Sequence, residues 1–473
     1  MTFVSLEFLI LFSVTAVAVA ACKDMKKRQI ILLAASYIFY AYWDIRFLGL
    51  LILQTYISYS LAKRIDHTND IKKRKIFCAV GVTVLLCILG FFKYFNFFVE
   101  SLQRIFSLKY ETFYIILPIG ISFYTFQALS YLIDVYRGTT SARKEFYKVS
   151  LYISFFPQLV AGPIVRANDF LPQLECNHDI KLANIEKNLQ IFLFGLIKKV
   201  VIADRLAVCV DAVFAVPDAY DAASIVCAVI AYSMQIYCDF SGYSDMAIAV
   251  AGFFGYNLCE NFNMPYISKN LTEFWKRWHI SLSVWLKDYV YISLGGNRKG
   301  KIRTYINLMI TMVLGGLWHG ANWTFVLWGF MHGAALIVHK IFLAWKKRHH
   351  AFCQNRKSVL GVVLNMVSVL MTYCYVCIGW VFFRAESVSQ AFDILKRMIS
   401  GVAGIHYIYS YTIIYGILIV VCHLYGIWKN GGQGAYPILK LEKFWSKIIL
   451  CVAVGLTMVF SYQGDNAFVY FQF

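Results

Sequence analysis

The chain has 473 residues, of which 60% are hydrophobic, 17% aromatic and only 15% charged, a balance far from that of an average soluble domain. Its formal charge of +19 does not mark a nucleic-acid binder, because the basic residues fall in short clusters between apolar runs and not along one aromatic-studded face. Runs long enough to cross a hydrocarbon core of ~30 Å recur with little room between them for soluble domains, so one integral unit over 1–473 is expected, an all-α polytopic membrane protein.

In chain order, spans are predicted at 2–21, 29–43, 46–62, 76–97, 112–132, 223–256 (broken part-way), 303–318, 321–344, 359–383, 407–428 and 446–463. The segment Thr2 to Ala21 has no basic start and is followed by positive charge, which fits an anchor with its N-terminus outside better than a cleaved signal. KDMKKR (23–28), KRIDHTNDIKKRK (63–75), NRKGKIR (297–303) and KKRHHAFCQNRK (346–357) are short and rich in Lys and Arg, which assigns them to the cytoplasm. All of them share one side if 29–62 is a hairpin turning near Asp44. The thirteen cysteines are scattered, mostly in apolar runs, and no disulfide is expected. Cys374 and Cys377 form a C-x-x-C inside an apolar helix, without a second ligand pair, and read as packing residues; no metal site is expected.

Two stretches break the spanning pattern. FFPQLVAGPIVRANDFLPQL (155–174) is apolar but carries three prolines, so it cannot be one helix, and irregular backbone at membrane depth must be packed in protein or line a cavity. It reads as a re-entrant or interfacial element. In NLTEFWKRWHISLSVWLKDYVYISLGGNRKG (270–300), Trp275, Trp278 and Trp285 alternate with Lys276, Arg277, Lys287 and Asp288, which suits a helix lying in the headgroup layer.

In so apolar a chain the remaining internal polar groups are candidates for function. Trp318, His319, Gly320 and Asn322 form one group, and counting ~1.5 Å per residue from Arg303 puts His319 roughly 24 Å into the membrane. Asp239, Ser241, Tyr243, Ser244 and Asp245 form a second, whose carboxylates imply a wet or mutually hydrogen-bonded interior. His279, on the amphipathic segment, is the third and is expected nearer an interface. Each has a plain alternative: an imidazole can simply bond a neighbouring helix, the aspartates can pair with Lys or Arg, and Arg166 can snorkel to headgroups. On these residues alone an acyl-transferring enzyme and a secondary transporter using Asp239, Asp245 and His319 stay open.

LPIGISFYTFQALSYLIDVYRG (117–138), PQLVAGPIVRANDFLPQL (157–174), YCDFSGYSDMAIA (237–249), the 261–300 stretch, LGGLWHGANWTFVLWG (314–329) and FVYFQF (468–473), in that order, resemble the membrane-bound O-acyltransferase family. The likeness covers about residues 5–473 and is strongest to its bacterial branch that O-acetylates alginate, with a D-alanyl-teichoic-acid relative. The resemblance implies a ring of about eleven or more transmembrane helices, plus re-entrant and interfacial helices, around a cytoplasm-facing funnel. The two family histidines fall on His279 and His319, the second at the narrow base of the funnel.

Moving an acyl group from a thioester to a hydroxyl needs a base, and an imidazole of ordinary pKa near ~6.5 suits it; His319 is that base. His279, Asn322 or backbone N–H groups can stabilise the oxyanion, and Asp239 or Asp245 can orient an imidazole, with Tyr243, Trp318 and Arg166 in support. Arg298, Lys299 and Arg303 can steer a phosphate-bearing donor. The implied donor is acetyl-CoA or a carrier phosphopantetheine, with no tightly bound cofactor. The implied partners are membrane lipids and a separate extracytoplasmic acetyltransferase, in a bacterial cytoplasmic membrane, with an extracytoplasmic polysaccharide or cell-wall polymer as acceptor. D-alanyl transfer is the alternative within the family.

Overall fold

Short polar side chains start the helices that the apolar runs define. Ser5 Oγ accepts from the Phe8 N–H at 3.3 Å, Asp24 from Lys27 N–H at 2.7 Å, and Asp44 and Asp70 from Arg46 and Lys72 N–H at 2.9 and 2.8 Å. Each satisfies a donor that a helix start leaves unpaired. The computed structural model describes residues 1–107, 113–176, 182–348, 359–430, 438–440, 442–462 and Phe468, which form α-helices with short 3-10 and π segments and one isolated bridge, Tyr220 to Ile405. Most of the basic segment at 346–357 and of the motif at 468–473 lies outside the described residues. Among the described residues five helices are long and apolar enough to cross a membrane: Ile45–Asp66, Ile71–Phe106, Ala222–Phe253, Trp323–Lys346 and Val359–Arg384. Leu6–Ala21, Ser410–Gly426 and Phe444–Phe460 are shorter and apolar.

The chain divides into two compact units, one of residues 1–196, 243–259 and 440–450, the other of 197–242, 260–439 and 451–473. In the first, helix Ile121–Arg137 is buried on nearly every face and packs against Ile45–Asp66 and Ile71–Leu89. The 155–174 stretch breaks as its prolines require, into the short pieces Phe156–Leu159, Ala167–Phe170 and Leu171–Glu175. Its backbone is answered from inside the unit, since Tyr152 OH donates to the Val165 carbonyl at 3.0 Å. In the second unit, Lys301–His319 and Trp323–Arg348 form a tight hairpin. A Cβ at Gly316 would lie 2.2 Å from the Phe325 carbonyl oxygen and one at Gly329 2.4 Å from that of Met312, so glycine is what lets these backbones touch.

The expectations fail in several places. The 223–256 run is one unbroken helix, Ala222–Phe253: it contains no proline, and its polar side chains are accommodated by lateral partners without opening the backbone. The 112–132 span begins as helix only at Ile121, because Pro118 and a left-handed Gly120 (φ 73°) precede it. The 270–300 stretch is not a helix lying at a surface. It folds as Leu271–Arg277, Ile280–Trp285 and the π segment Leu286–Tyr291, with Phe274, Trp278 and Trp285 buried. Its rings find a core, Trp278 lying 4.8 Å from Trp380 and 5.5 Å from Phe274 between ring centres, while Lys276 and Lys287 face outward. Helices Leu182–Leu196, Asp204–Ala215 and Val388–Ser400 were not expected, their charges having hidden the apolar face.

Candidate active site

Helix Lys301–His319 ends on His319, which is 3% exposed. Its ring meets three aromatic neighbours edge to face: Trp318 at 5.0 Å, Trp328 at 5.1 Å and Phe383 at 5.0 Å between centres. The chain turns through Gly320, where a Cβ would sit 2.2 Å from the Phe325 ring. Asn322 closes the turn: its Oδ1 accepts from the Thr324 N–H at 3.0 Å and its Nδ2 donates to the Glu386 carbonyl at 3.0 Å. Asn322 therefore serves as the cap of the next helix.

His279 stands in the break between Leu271–Arg277 and Ile280–Trp285, with φ 41° and ψ 56°, a left-handed conformation that a side chain other than glycine adopts only under constraint. It is fully buried within the protein. Its constraint is Asn261, whose backbone carbonyl accepts from Ile280 N–H at 2.9 Å. The Asn261 Oδ1 accepts from Ser281 N–H and Oγ at 3.2 and 2.6 Å and lies 3.3 Å from His279 Nδ1. An oxygen that accepts can only pair with a protonated Nδ1, so Nε2 is the lone-pair nitrogen of His279. Burial pushes this imidazole down to about 3, so it is neutral at physiological pH. Phe240 packs edge-on against it at 4.6 Å and Trp318 at 5.6 Å. The indole of Trp318 thus packs against both histidines.

Asp239, 1% exposed, is ion-paired to Lys199 at 2.7 Å, and Lys199 also holds Asp204 at 2.8 Å. This buried trio carries one more negative than positive charge. Phe468 lies with its ring 5.9 Å from Lys199 Nζ and 6.1 Å from Phe240. Tyr243, Asp245 and Arg166 belong to the other unit. There Tyr243 stacks on Phe3 at 4.6 Å, Asp245 is buried, and Arg166 is half-buried at the start of Ala167–Phe170. Arg298 and Lys299 are exposed on the loop before helix Lys301–His319, and Arg303 is exposed on its first turn.

The second unit therefore joins His279, Trp318 and His319. Five further residues of this neighbourhood escaped the sequence: Asn261, Lys199, Asp204, Trp328 and His332. The last had a signal, since residues four apart share a helix face and His332 follows the WHG motif at that spacing from Trp328. Asn261 and Lys199 had none, because their partners are distant in the chain. An imidazole among aromatic rings can take a proton from a hydroxyl, and a second one with a fixed tautomer can orient it.

A family model for MBOAT, the membrane-bound O-acyltransferase family, matches residues 142–382, a range that contains both histidines. The chain is 43% identical over 406 residues to a probable alginate O-acetylase of Azotobacter vinelandii, covering 85% of this chain and 78% of that protein. It is 36% identical over 400 residues to a peptidoglycan O-acetyltransferase of Helicobacter pylori, covering 79% and 74%. A teichoic acid D-alanyltransferase of Bacillus subtilis is 27% identical over 281 residues, covering 57% and 69%.

Proposed function

Because the chain belongs to the membrane-bound O-acyltransferase family and is an acyl-transferring enzyme of the membrane, we propose that it takes an acetyl group from cytoplasmic acetyl-CoA. It delivers that group across the bilayer for O-acetylation of an extracytoplasmic polysaccharide or cell-wall polymer. Acetyl is favoured over D-alanyl because the relatives named for acetylation match at higher identity and coverage than the one named for D-alanyl transfer. Family membership sets the transporter alternative aside.

In this proposal about eleven apolar runs cross a bacterial cytoplasmic membrane as one integral unit, with the N-terminus outside and the basic segments inside. They surround a funnel that opens to the cytoplasm and narrows to His319. His319 removes the proton of the acceptor hydroxyl, and the alkoxide oxygen attacks the thioester carbonyl. The C–S bond then breaks and the thiolate leaves with the proton held on the imidazolium. His279, neutral and anchored through Asn261, is an acceptor at Nε2 and orients the hydroxyl and its neighbours. Arg298, Lys299 and Arg303 guide the phosphates of the donor at the cytoplasmic mouth. A separate extracytoplasmic transferase then moves the acetyl group from this first ester to a hydroxyl of the polymer, which regenerates the first hydroxyl.

The observation that carries this proposal is that the buried rings of His319 and His279 both pack against one indole, that of Trp318, in the family's matched region. The test is purified protein with radiolabelled acetyl-CoA and a hydroxyl acceptor. Release of free CoA, abolished in His319→Ala, is the expected result; CoA release that persists unchanged in His319→Ala overturns the role of His319.

A further inference from the structure

The unit of residues 1–196, 243–259 and 440–450, which holds neither His279 nor His319, carries an open cavity of about 520 Å³. Lys63, Arg64, His67 and Thr68 line it together with Tyr56, Tyr59 and Phe77. Lys63 and Arg64 lie in the last turn of helix Ile45–Asp66, and His67 and Thr68 just beyond it. Tyr56 stands seven residues before Lys63, ~10 Å further into the apolar run, and Phe77 six residues into the returning helix Ile71–Leu89, ~9 Å from its start. Both helices belong to apolar stretches long enough to cross a membrane. The cavity therefore has a cationic end at the helix turn and an aromatic end within the spans.

The wall is held by contacts from outside the two helices. Tyr59 OH donates to the Lys144 carbonyl at 2.6 Å, and the Phe146 ring meets Tyr59 at 5.3 Å and Tyr56 at 6.0 Å between centres. Lys63 Nζ stands 5.9 Å from the Tyr59 ring centre. Lys63, Arg64 and His67 are exposed, and no carboxylate lines the cavity to neutralise them. Sidedness of the chain asks only for positive charge in this segment, and Lys72, Lys73 and Lys75 supply it without lining any cavity wall here.

Cations over an aromatic wall at the edge of a span select a ligand with a negative head and an apolar body. An amine-bearing head would set like charge against Lys63 and Arg64, so the head is a phosphodiester without an amine. A soluble phosphate would fill the cationic end and leave Tyr56 and Phe77 without apolar cover. We propose that this cavity binds one anionic phospholipid, its phosphodiester held by Lys63, Arg64 and His67 and its acyl chains lying along Tyr56 and Phe77. That the lipid comes from the cytoplasmic leaflet rests on the orientation proposed above; the binding itself does not.

In the test, full-length protein purified in detergent and stripped of lipid is titrated with phosphatidylglycerol or with phosphatidylethanolamine of the same acyl chains. Bound lipid is counted by native mass spectrometry. Wild type is expected to retain one phosphatidylglycerol per chain, with about tenfold preference over phosphatidylethanolamine. Lys63→Gln, Arg64→Gln and His67→Gln combined should reduce that preference to within about twofold, and Tyr56→Ala should weaken retention of both lipids. Lys72→Gln, Lys73→Gln and Lys75→Gln combined remove as many basic side chains from the same segment and should leave the preference as in wild type. Equal retention of the two lipids by wild type, or equal loss of preference in the two triple variants, overturns the site and reduces the cluster to a sidedness signal. Displacement of the bound lipid by millimolar coenzyme A also overturns it, since the cavity would then take a soluble phosphate. Where the first triple variant fails to fold, Lys63→Gln and Arg64→Gln made singly should each lower the preference about threefold, and an unchanged preference in both overturns the site. No arm measures acyl transfer, so failure here leaves the proposed function standing, and loss of that function leaves the lipid site standing.

Discussion

The two histidine-bearing segments bury their imidazoles to nearly the same degree by opposite means. His319 ends a regular helix, and its surroundings are aromatic rings at about equal distances. His279 sits on a strained backbone between two short helices and is secured by the amide of Asn261. In the first, depth follows from the fixed rise of a helix. In the second, burial follows from partners elsewhere in the chain. A region built by regular geometry sets its functional group through the helix that carries it, whereas a region built by polar contacts makes the functional group part of the scaffold.

That contrast can be broken or sharpened by substitution. The largest effect belongs to His319→Ala, which should lower acetyl-CoA turnover by about 10²–10⁴-fold with a far smaller shift in thermal midpoint than polar-network variants give; equal losses of activity and stability would erase the distinction. Lys199→Met removes the cation that the buried Asp204 and Asp239 share, and should destabilise by about 3–5 kcal/mol, read as a drop in thermal midpoint that added Asp204→Asn and Asp239→Asn changes partly restore. Gly316→Ala drives a Cβ into the Phe325 carbonyl, and should cost about 1–3 kcal/mol by forcing the hairpin apart, with activity falling because His319 moves with it. Asn261→Ala strips the acceptor shared by Ser281 and His279, for a similar or smaller loss of about 1–3 kcal/mol; a change in the pH profile of kcat would accompany it, since the tautomer of His279 is no longer held.

The smallest effect is a pH dependence. Burial pushes the folded His279 down to about 3 from an ordinary value of 6.5, so the unfolded chain binds the proton first. Its share of stability is complete above pH 6.5 and is lost as pH falls from there toward 3, with a slope of up to about 1.4 kcal/mol per pH unit. Thermal midpoints measured between pH 7.5 and 5 should fall less steeply for His279→Gln than for wild type. Identical slopes would mean that the ring is not buried as described.

Much of this was legible in the residues. The apolar runs located most of the helices, and the prolines of 155–174 predicted its broken backbone. His319 and Trp318 were recognisable from their motif and their distance along one helix. The error at 270–300 shows the boundary. Aromatic and charged residues alternate there in a pattern that fits a membrane surface, yet Trp278 and Trp285 are core residues. The alternation says that one side is apolar; it does not say whether lipid or protein covers that side.

The sequence by itself determined what depends on neighbours in the chain: hydropathy over one helix length and the place of His319 at the end of its helix, because the rise per residue is constant. Only the tertiary structure decided which buried polar group meets which. His279 bonds a residue 18 positions away, Asn322 one 64 positions away, and Asp239 is paired to a lysine on another helix. In an interior of low dielectric an unpaired polar group is costly, so the roles of these residues were set by the partner that packing brought to them, and the folded chain is where that partner first exists.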